Sequence, residues 1–221
     1  ITITGQITAA EASTLSTVAA TSIIATVAPA AATTLAGISM RNGRTNAFTL
    51  TPTDTSATAS VLKSVKDITS LGGNFANVTT IAASPSADIT ALFAPLLNNG
   101  TSANTTFAAD ITINVNDTSI AAATLNAFNL LTTTAVVTTA TTITGGATDV
   151  KSALGAGINH GAAVAVTITE ASTIAGLLND IDGLTAGRVT VQSTTLTGSA
   201  GNVVTALQAS AAEPTANVNG V

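Results

Sequence analysis

The chain has 221 residues, with 6 Lys plus Arg against 11 Asp plus Glu, one His, five Phe and no Cys, Trp or Tyr. A net charge of -5 and the lack of base-stacking aromatics exclude a basic nucleic-acid binder, and the missing Cys excludes disulfide scaffolds and thiolate metal sites. Charged residues are only 8%, against about 25% in an ordinary soluble domain, while 46% of residues are hydrophobic, so a folded chain of small and β-branched residues is expected rather than a charge-expanded one.

In chain order, Ile1-Thr2-Ile3-Thr4 alternates as a strand does, and no basic region followed by an apolar run marks a leader. From Ala12 to Met40 no charge occurs, which is long enough for a membrane span. Recurrent Ser and Thr and the interrupting Pro29 argue against one, and no transmembrane segment is predicted. Phe48 and Leu50 then alternate with Thr49 and Thr51, and Asp54 marks the strand end and offers an N-cap oxygen. Thr58, Val61, Leu62, Val65 and Ile68 form a helical stripe, and a shorter helix carries Ile89, Leu92, Phe93 and Leu96. The same succession returns twice. Ile111, Ile113 and Val115 alternate with Thr112, Asn114 and Asn116, and Asp117 precedes the stripe Ala121, Thr124, Leu125, Phe128 and Leu131. A short strand at Val136-Val137, a corner at Gly145 and a helix with Val150 and Leu154 follow. Beyond Glu170 the predicted stripe is Ile174, Leu177, Leu178, Ile181 and Leu184, with Asp180 and Asp182 outside; then come Val189–Val191, a corner at Gly198, and a helix with Val203 and Leu207.

These similarities are internal repeats. Asp117 to Glu170, Leu131 to Leu184 and Leu154 to Leu207 share one offset of 53 residues without a gap, and Asp54 to Asp117 gives 63. An upstream copy keeps "AEASTLS" (compare "TEASTIA") and "TTLAG" (compare "TTLTG"). Four copies are read at about 7–46, 48–105, 111–160 and 166–213, each as two strand-plus-helix coils except the first, which is truncated and passes into "ISMRNGRTN" where a second helix would be expected. Strands that alternate, rather than run apolar, are covered on one face only. The expectation is therefore a single α/β, right-handed parallel β-α solenoid over 1–221, with strands alternating with short helices on one face and a Thr/Asn-rich opposite face.

Strings such as "VNDTSIAAATLNAFNLLTTTAVVTTATTITGGATDV" and "VTITEASTIAGLLNDIDGLTAGRVTV" resemble the Ala/Thr-rich repeats of large bacterial surface proteins, especially the haemolysin-like and S-layer-type proteins of cyanobacteria. The resemblance covers about positions 7 to 213 and rests on pattern and composition. It implies secretion, a place in the cell-surface coat or matrix, and calcium-binding nonapeptides elsewhere in such chains. Here "GGNFANVTT" and "GGATDVKSA" lack the G-G-x-G-x-D order, so calcium stays a candidate ion without a motif.

No catalytic, cofactor-binding or metal-ligating residues are assigned. His160 in "GINHGAAV" lacks a second ligand or an orienting carboxylate and reads as a loop histidine. Ser199 in "TGSAG" departs from G-x-S-x-G and reads as a corner, and Lys151 in "GGATDVK" departs from the phosphate-loop order. Asp180 and Asp182, two apart on a helix, diverge; Arg41 and Arg44 flank Gly43 in a solvated loop; Lys63 and Lys66 are the other close basic pair. Sequons lie at Asn77, Asn99, Asn104 and Asn116. The predicted function is that of a non-enzymatic structural extracellular repeat protein that associates with itself head to tail into a surface layer, fibre or matrix. The alternative is an adhesin or ice-binding module using the Thr-rich strand face, with a cell-surface glycan as candidate partner.

Overall fold

The computed structural model describes residues 1–41, 45–97 and 105–212. It is α/β, with parallel strands alternating with helices, and divides into two compact units, Ile1–Thr112 and Ile113–Val221.

The first unit runs β1 (Thr2–Ile7), α1 (Ala9–Val18), β2 (Ile24–Val27), α2 (Ala32–Ala36), β3 (Ala47–Thr49), β4 (Ser56–Thr58), α3 (Ala59–Asp67), β5 (Asn74–Phe75), β6 (Thr80–Ser84), α4 (Ser86–Leu97) and β7 (Thr106–Phe107). β1, β2 and β3 pair in parallel in that order, β4 pairs with β6, and β5 with β7. Helix α1 starts at Thr8 because a capping box forms there: the Glu11 N–H donates to Thr8 Oγ1 at 3.2 Å, and the Thr8 N–H donates to Glu11 Oε2 at 2.7 Å. The core of this unit holds Phe48, Leu50, Leu62, Phe75, Ile81 and Phe93, all essentially inaccessible to solvent. Phe107 lies against Phe75 and Phe93, with ring centroids 5.1 and 4.7 Å apart.

The second unit runs β8 (Thr112–Val115), β9 (Ser119–Ala121), α5 (Ala122–Asn129), β10 (Val136–Thr138), β11 (Thr142–Gly145), α6 (Ala147–Ala153), β12 (Ile158–Asn159), β13 (Ala165–Ile168), β14 (Ser172–Ile174), α7 (Ala175–Asp182), β15 (Val189–Val191), β16 (Thr195–Thr197) and α8 (Ala200–Ala212). Three parallel columns result: β8, β10, β12; then β9, β11, β13, β15; then β14 with β16. Val136 stands opposite Ile113, Thr142 opposite Ser119, and Thr195 opposite Ser172, so one coil takes about 23 residues.

Alternation holds as read from the sequence: Ile111, Ile113 and Val115 are buried while Thr112 and Asn114 are half-exposed and Asn116 is exposed. Gly145 and Gly198, at φ of 156° and 143°, take the corner conformations that favour glycine. Three expectations need correction. First, from β3 onward more than one short strand precedes each helix, two before α3, α4, α6 and α8 and three before α7, whereas α1 and α2 follow one each; β9 and β14 occupy three residues each, too few to announce themselves by alternation. Second, Ile174 and Leu184 leave the buried stripe of α7. Ile174 ends β14 and is 58% exposed, and Leu184, beyond the C-cap Gly183, is 41% exposed. The stripe is Ala175, Leu178 and Ile181, and it recurs as Ala59, Leu62, Val65 in α3 and Ala122, Leu125, Phe128 in α5. Leu177 is half-buried; Asp180 is exposed and Asp182 half-exposed. Third, the upstream copy is not equivalent. Glu11 lies inside α1 whereas Glu170 precedes β14, and "TTLAG" lies in α2 whereas "TTLTG" forms β16.

The 53-residue repeat also acquires a physical meaning. Two coils of about 23 residues leave a remainder equal to the step from Ile113 to Ile120, which is one strand and its corner. Each copy therefore begins one column further on. β13, the sequence counterpart of β8, stacks on β11, and β12 fills the column that β8 and β10 occupy.

Asp54, the first of the recurrent carboxylates, caps a helix, but in the preceding coil rather than its own. The Ala32 N–H, at the start of α2, donates to Asp54 Oδ2 at 2.5 Å across 22 residues, and α2 has no side-chain cap from its own N-cap residue Ala31. Ser84 Oγ does the same for the Ala59 N–H of α3, at 3.0 Å. Local caps are absent because Ala31 carries no side-chain acceptor and the Thr58 hydroxyl pairs with Ser60 Oγ at 3.2 Å. Asp54→Ala is therefore expected to cost about 0.5–2 kcal/mol, the range of a helix N-cap, while Asp54→Asn retains most of it; chemical denaturation of the three proteins checks this.

Candidate assembly surface

Polar side chains recur at equivalent positions of the copies, and they join one coil to the next. At the corner, the Thr79, Thr141 and Thr194 hydroxyls donate to the carbonyls of Thr55, Thr118 and Ala171, at 3.3, 3.1 and 3.4 Å. After the helices, Thr69, Thr132 and Thr185 each accept the N–H two residues on, from Leu71, Thr134 and Gly187. Thr69 and Thr185 also donate at 2.6 Å to Phe48 O and Val164 O in the neighbouring coil. Between helices, Asn126 Nδ2 donates to Asp149 O and Asn179 Nδ2 to Asn202 O, at 3.0 and 3.2 Å. These asparagines escaped the sequence reading, although their shared place 53 residues apart is a usable signal. No buried side-chain N or O among the described residues lacks a partner.

In the first unit Asn46 links three segments. Its Oδ1 accepts the Ile23 N–H at 2.9 Å and its Nδ2 donates to Ser16 Oγ at 2.9 Å, while the Ser16 hydroxyl donates to Ala12 O at 2.7 Å. Lys66 Nζ donates to Leu92 O at 2.8 Å, joining α3 to α4; partial burial lowers its pKa, the nearby Asp67 charge opposing and Lys63 reinforcing that shift. The Glu11 carboxyl is held below the usual carboxylate range by the Thr8 backbone N–H and then its hydroxyl. A depressed folded pKa adds stability above the unfolded value and loses it as the pH falls through the folded one. Glu11→Gln is therefore expected to show a smaller fall in melting temperature than the parent when the pH is lowered from roughly 7 to 3, followed by circular dichroism.

The remaining sequence candidates fall at separate places. His160 is half-buried after β12, with Nδ1 3.0 Å from Gly161 O and Nε2 3.3 Å from Leu154 O. Ser199 precedes α8, its Oγ accepting the Asn202 N–H at 3.3 Å and its carbonyl the Val203 N–H at 3.0 Å, the work of a helix cap. Lys151 of α6 pairs with Asp180 of α7 at 2.6 Å, and Lys63 pairs with Asp67 on α3; these exposed pairs add little stability. Arg41 is exposed, and Gly43 and Arg44 lie outside the described residues. Asn77 and Asn116 are exposed, Asn77 donating to Pro52 O at 3.3 Å; Asn99 and Asn104 lie outside the described residues. The described residues hold no group of three or more His, Asp or Glu placed to hold a metal ion, and none of their helices is long and apolar enough to cross a membrane.

Comparison with protein-family models, curated proteins and solved structures gives no match. The molecule's own surfaces are thus what bears on function, and three stand out. One is a ladder on the second strand column, where Thr144, Thr167 and Thr190 stand in register, each half-exposed. The second is α8, whose Val204 and Leu207 are 50% and 42% exposed. The third is a shallow hollow of about 420 Å³ beside α1, lined by Ile7, Ala10, Glu11, Thr14 and Leu15.

Proposed function

We propose that this chain is a structural, extracellular repeat protein, built as a right-handed parallel solenoid, that joins other copies head to tail into a surface layer, fibre or matrix. The observation that carries the reading is the repeated use of equivalent Thr side chains to tie neighbouring coils in both units, with equivalent Asn side chains doing so in the second. A fold stabilised by nearest-neighbour coils grows by adding coils. The 8% content of charged residues leaves little repulsion against contact between copies. The likeness to Ala/Thr-rich repeats of bacterial surface proteins points the same way and supplies the extracellular location. Negative-stain imaging and sedimentation of the purified protein over a concentration series test the assembly. Ordered strings or sheets of copies are expected, and a monomer at every concentration refutes it. Protease shaving of intact source cells tests the location: release of fragments of this chain is expected, and protection until lysis refutes it.

A second reading, an adhesin or ice-binding module, is favoured by the ladder Thr144, Thr167 and Thr190, whose members repeat at the strand spacing of about 4.8 Å. Thermal hysteresis and glycan-array binding that vanish in the Thr167→Lys variant would establish it over the structural reading.

A further inference from the structure

We infer that Met40 is a reversible oxidation site, and that its sulfoxide holds the Asn46 amide more firmly than the thioether does, tightening the junction of segments that Asn46 links. The inference stands apart from the head-to-tail reading above and concerns a covalent modification within the first unit.

Composition leaves an oxidant one ready target. The chain has a single Met and no Cys, Trp or Tyr, so no thiol and no other thioether competes for a peroxide. Met40 lies between α2 and β3 and is half-buried, so solvent reaches the side chain. Its sulfur faces a polar group rather than an apolar core, because Asn46 Nδ2 donates to Met40 Sδ at 3.6 Å.

Asn46 is 3% exposed and heavily engaged. Its Oδ1 accepts the Ile23 N–H just before β2, and one Nδ2 hydrogen goes to Ser16 Oγ of α1, both at 2.9 Å. Its backbone carbonyl accepts the Ser70 N–H, beyond α3, at 2.8 Å. The second Nδ2 hydrogen meets only the thioether, which is a weak acceptor. A buried N–H that faces a poor acceptor recovers little of the hydration it gave up on folding.

Oxidation supplies a better acceptor at that place. The Sδ lone pair attacks one oxygen of hydrogen peroxide; an S–O bond forms, the O–O bond breaks, and the departing oxygen leaves as water after taking up a proton. Sulfur loses two electrons and the peroxide gains them, which gives the sulfoxide. The polarised S–O bond then presents its oxygen to the amide. With S–O about 1.5 Å, N···O about 2.9 Å and roughly 120° at the oxygen, the sulfur stands about 3.9 Å from the donor nitrogen. The separation present is 3.6 Å. A withdrawal of about 0.3 Å is small for an unbranched side chain with three rotatable bonds. In an apolar core a sulfoxide disrupts packing; beside a buried donor the sign reverses.

The test uses the full chain, treated with hydrogen peroxide at neutral pH and compared with untreated protein. Intact mass and peptide mapping are expected to show one added oxygen, at Met40. The oxidised protein is expected to melt about 1–4 °C higher, and its Ile23 amide to exchange more slowly than the global change requires. One Asn46 Nδ2 proton is expected to move downfield in the NMR spectrum. Reduction by the two epimer-specific methionine sulfoxide reductases is expected to undo all of these. Met40→Leu, which conserves volume, is expected to show neither the mass gain nor the rise. A melting temperature unchanged or lowered by oxidation overturns the inference, as does an Asn46 amide signal that stays in place. So does a rise that persists in Met40→Leu, or a Met40 that resists peroxide until the chain unfolds. Should Met40→Leu fail to fold, the reductase step decides: a rise that survives complete reduction of the sulfoxide overturns the inference.

Discussion

Phe128→Ala is expected to destabilise the chain by about 3–5 kcal/mol, the range for removing a buried aromatic ring, whereas Leu130→Ala, two residues away, is expected to change stability by no more than about 0.5 kcal/mol. Phe128 is 0% exposed at the third position of the α5 stripe, after Ala122 and Leu125. Leu130 is the C-cap of the same helix and is 87% exposed. The chain has five Phe and no Trp or Tyr, so the cores of these coils are otherwise filled by Ile, Leu, Val and Ala. Such short side chains cannot close over a space as large as a phenyl ring, and the cavity cost adds to the lost transfer energy. Urea denaturation of the two variants reads the difference directly, because both changes remove apolar atoms from one helix and differ only in burial.

Much of this fold was legible because burial in it obeys two simple periods. Ile111, Ile113 and Val115 announced an inward face at period two, and Leu62 with Val65, or Leu125 with Phe128, announced one at helical spacing. Gly145 and Gly198 were legible as corners since only glycine adopts such φ values without strain. Helix ends were not, because an apolar side chain beside a helix carries the same letter as one within it. Ile174 belongs to β14 and faces solvent, although its spacing from Leu178 suits a stripe. The role of the carboxylates was half-legible. That Asp54 caps a helix follows from its type, but the choice of α2 over α3 depends on the stacking of coils, which local sequence does not encode. The upstream copy misled for a compositional reason: with so much Ala and Thr, similar strings arise in an α-helix and in a strand. Of the surfaces weighed for assembly, the α8 face was visible only as two apolar letters, Val203 and Leu207.

Gly187→Ala is expected to destabilise by about 1–3 kcal/mol or more, the cost of forcing extra atoms into a packed interior, although its repeat counterpart is Thr134. A Cβ built on Gly187 falls 2.2 Å from Val164 O and 2.5 Å from Ala163 O, both backbone atoms that cannot swing aside as a side chain would. Those carbonyls belong to the stretch leading into β13. They are held near Gly187 by the Thr185 hydroxyl, which donates to Val164 O at 2.6 Å, and by the Ala186 N–H, which donates to Ala162 O at 2.8 Å. Accommodating a methyl group must therefore lengthen one of these bonds or part the coils at the point where the Val166 N–H donates to Arg188 O at 2.8 Å. Thr134→Ala, by contrast, removes atoms from a half-exposed side chain and is expected to stay within about 0.5 kcal/mol. Hydrogen exchange separates this account from general loosening. In Gly187→Ala the Ala186, Gly187 and Val166 amides should lose protection beyond the fall in global stability, while those of β9 and β11 should follow the global change alone. Uniform loss along this column would instead mean that the close approach at Gly187 relaxes without local cost.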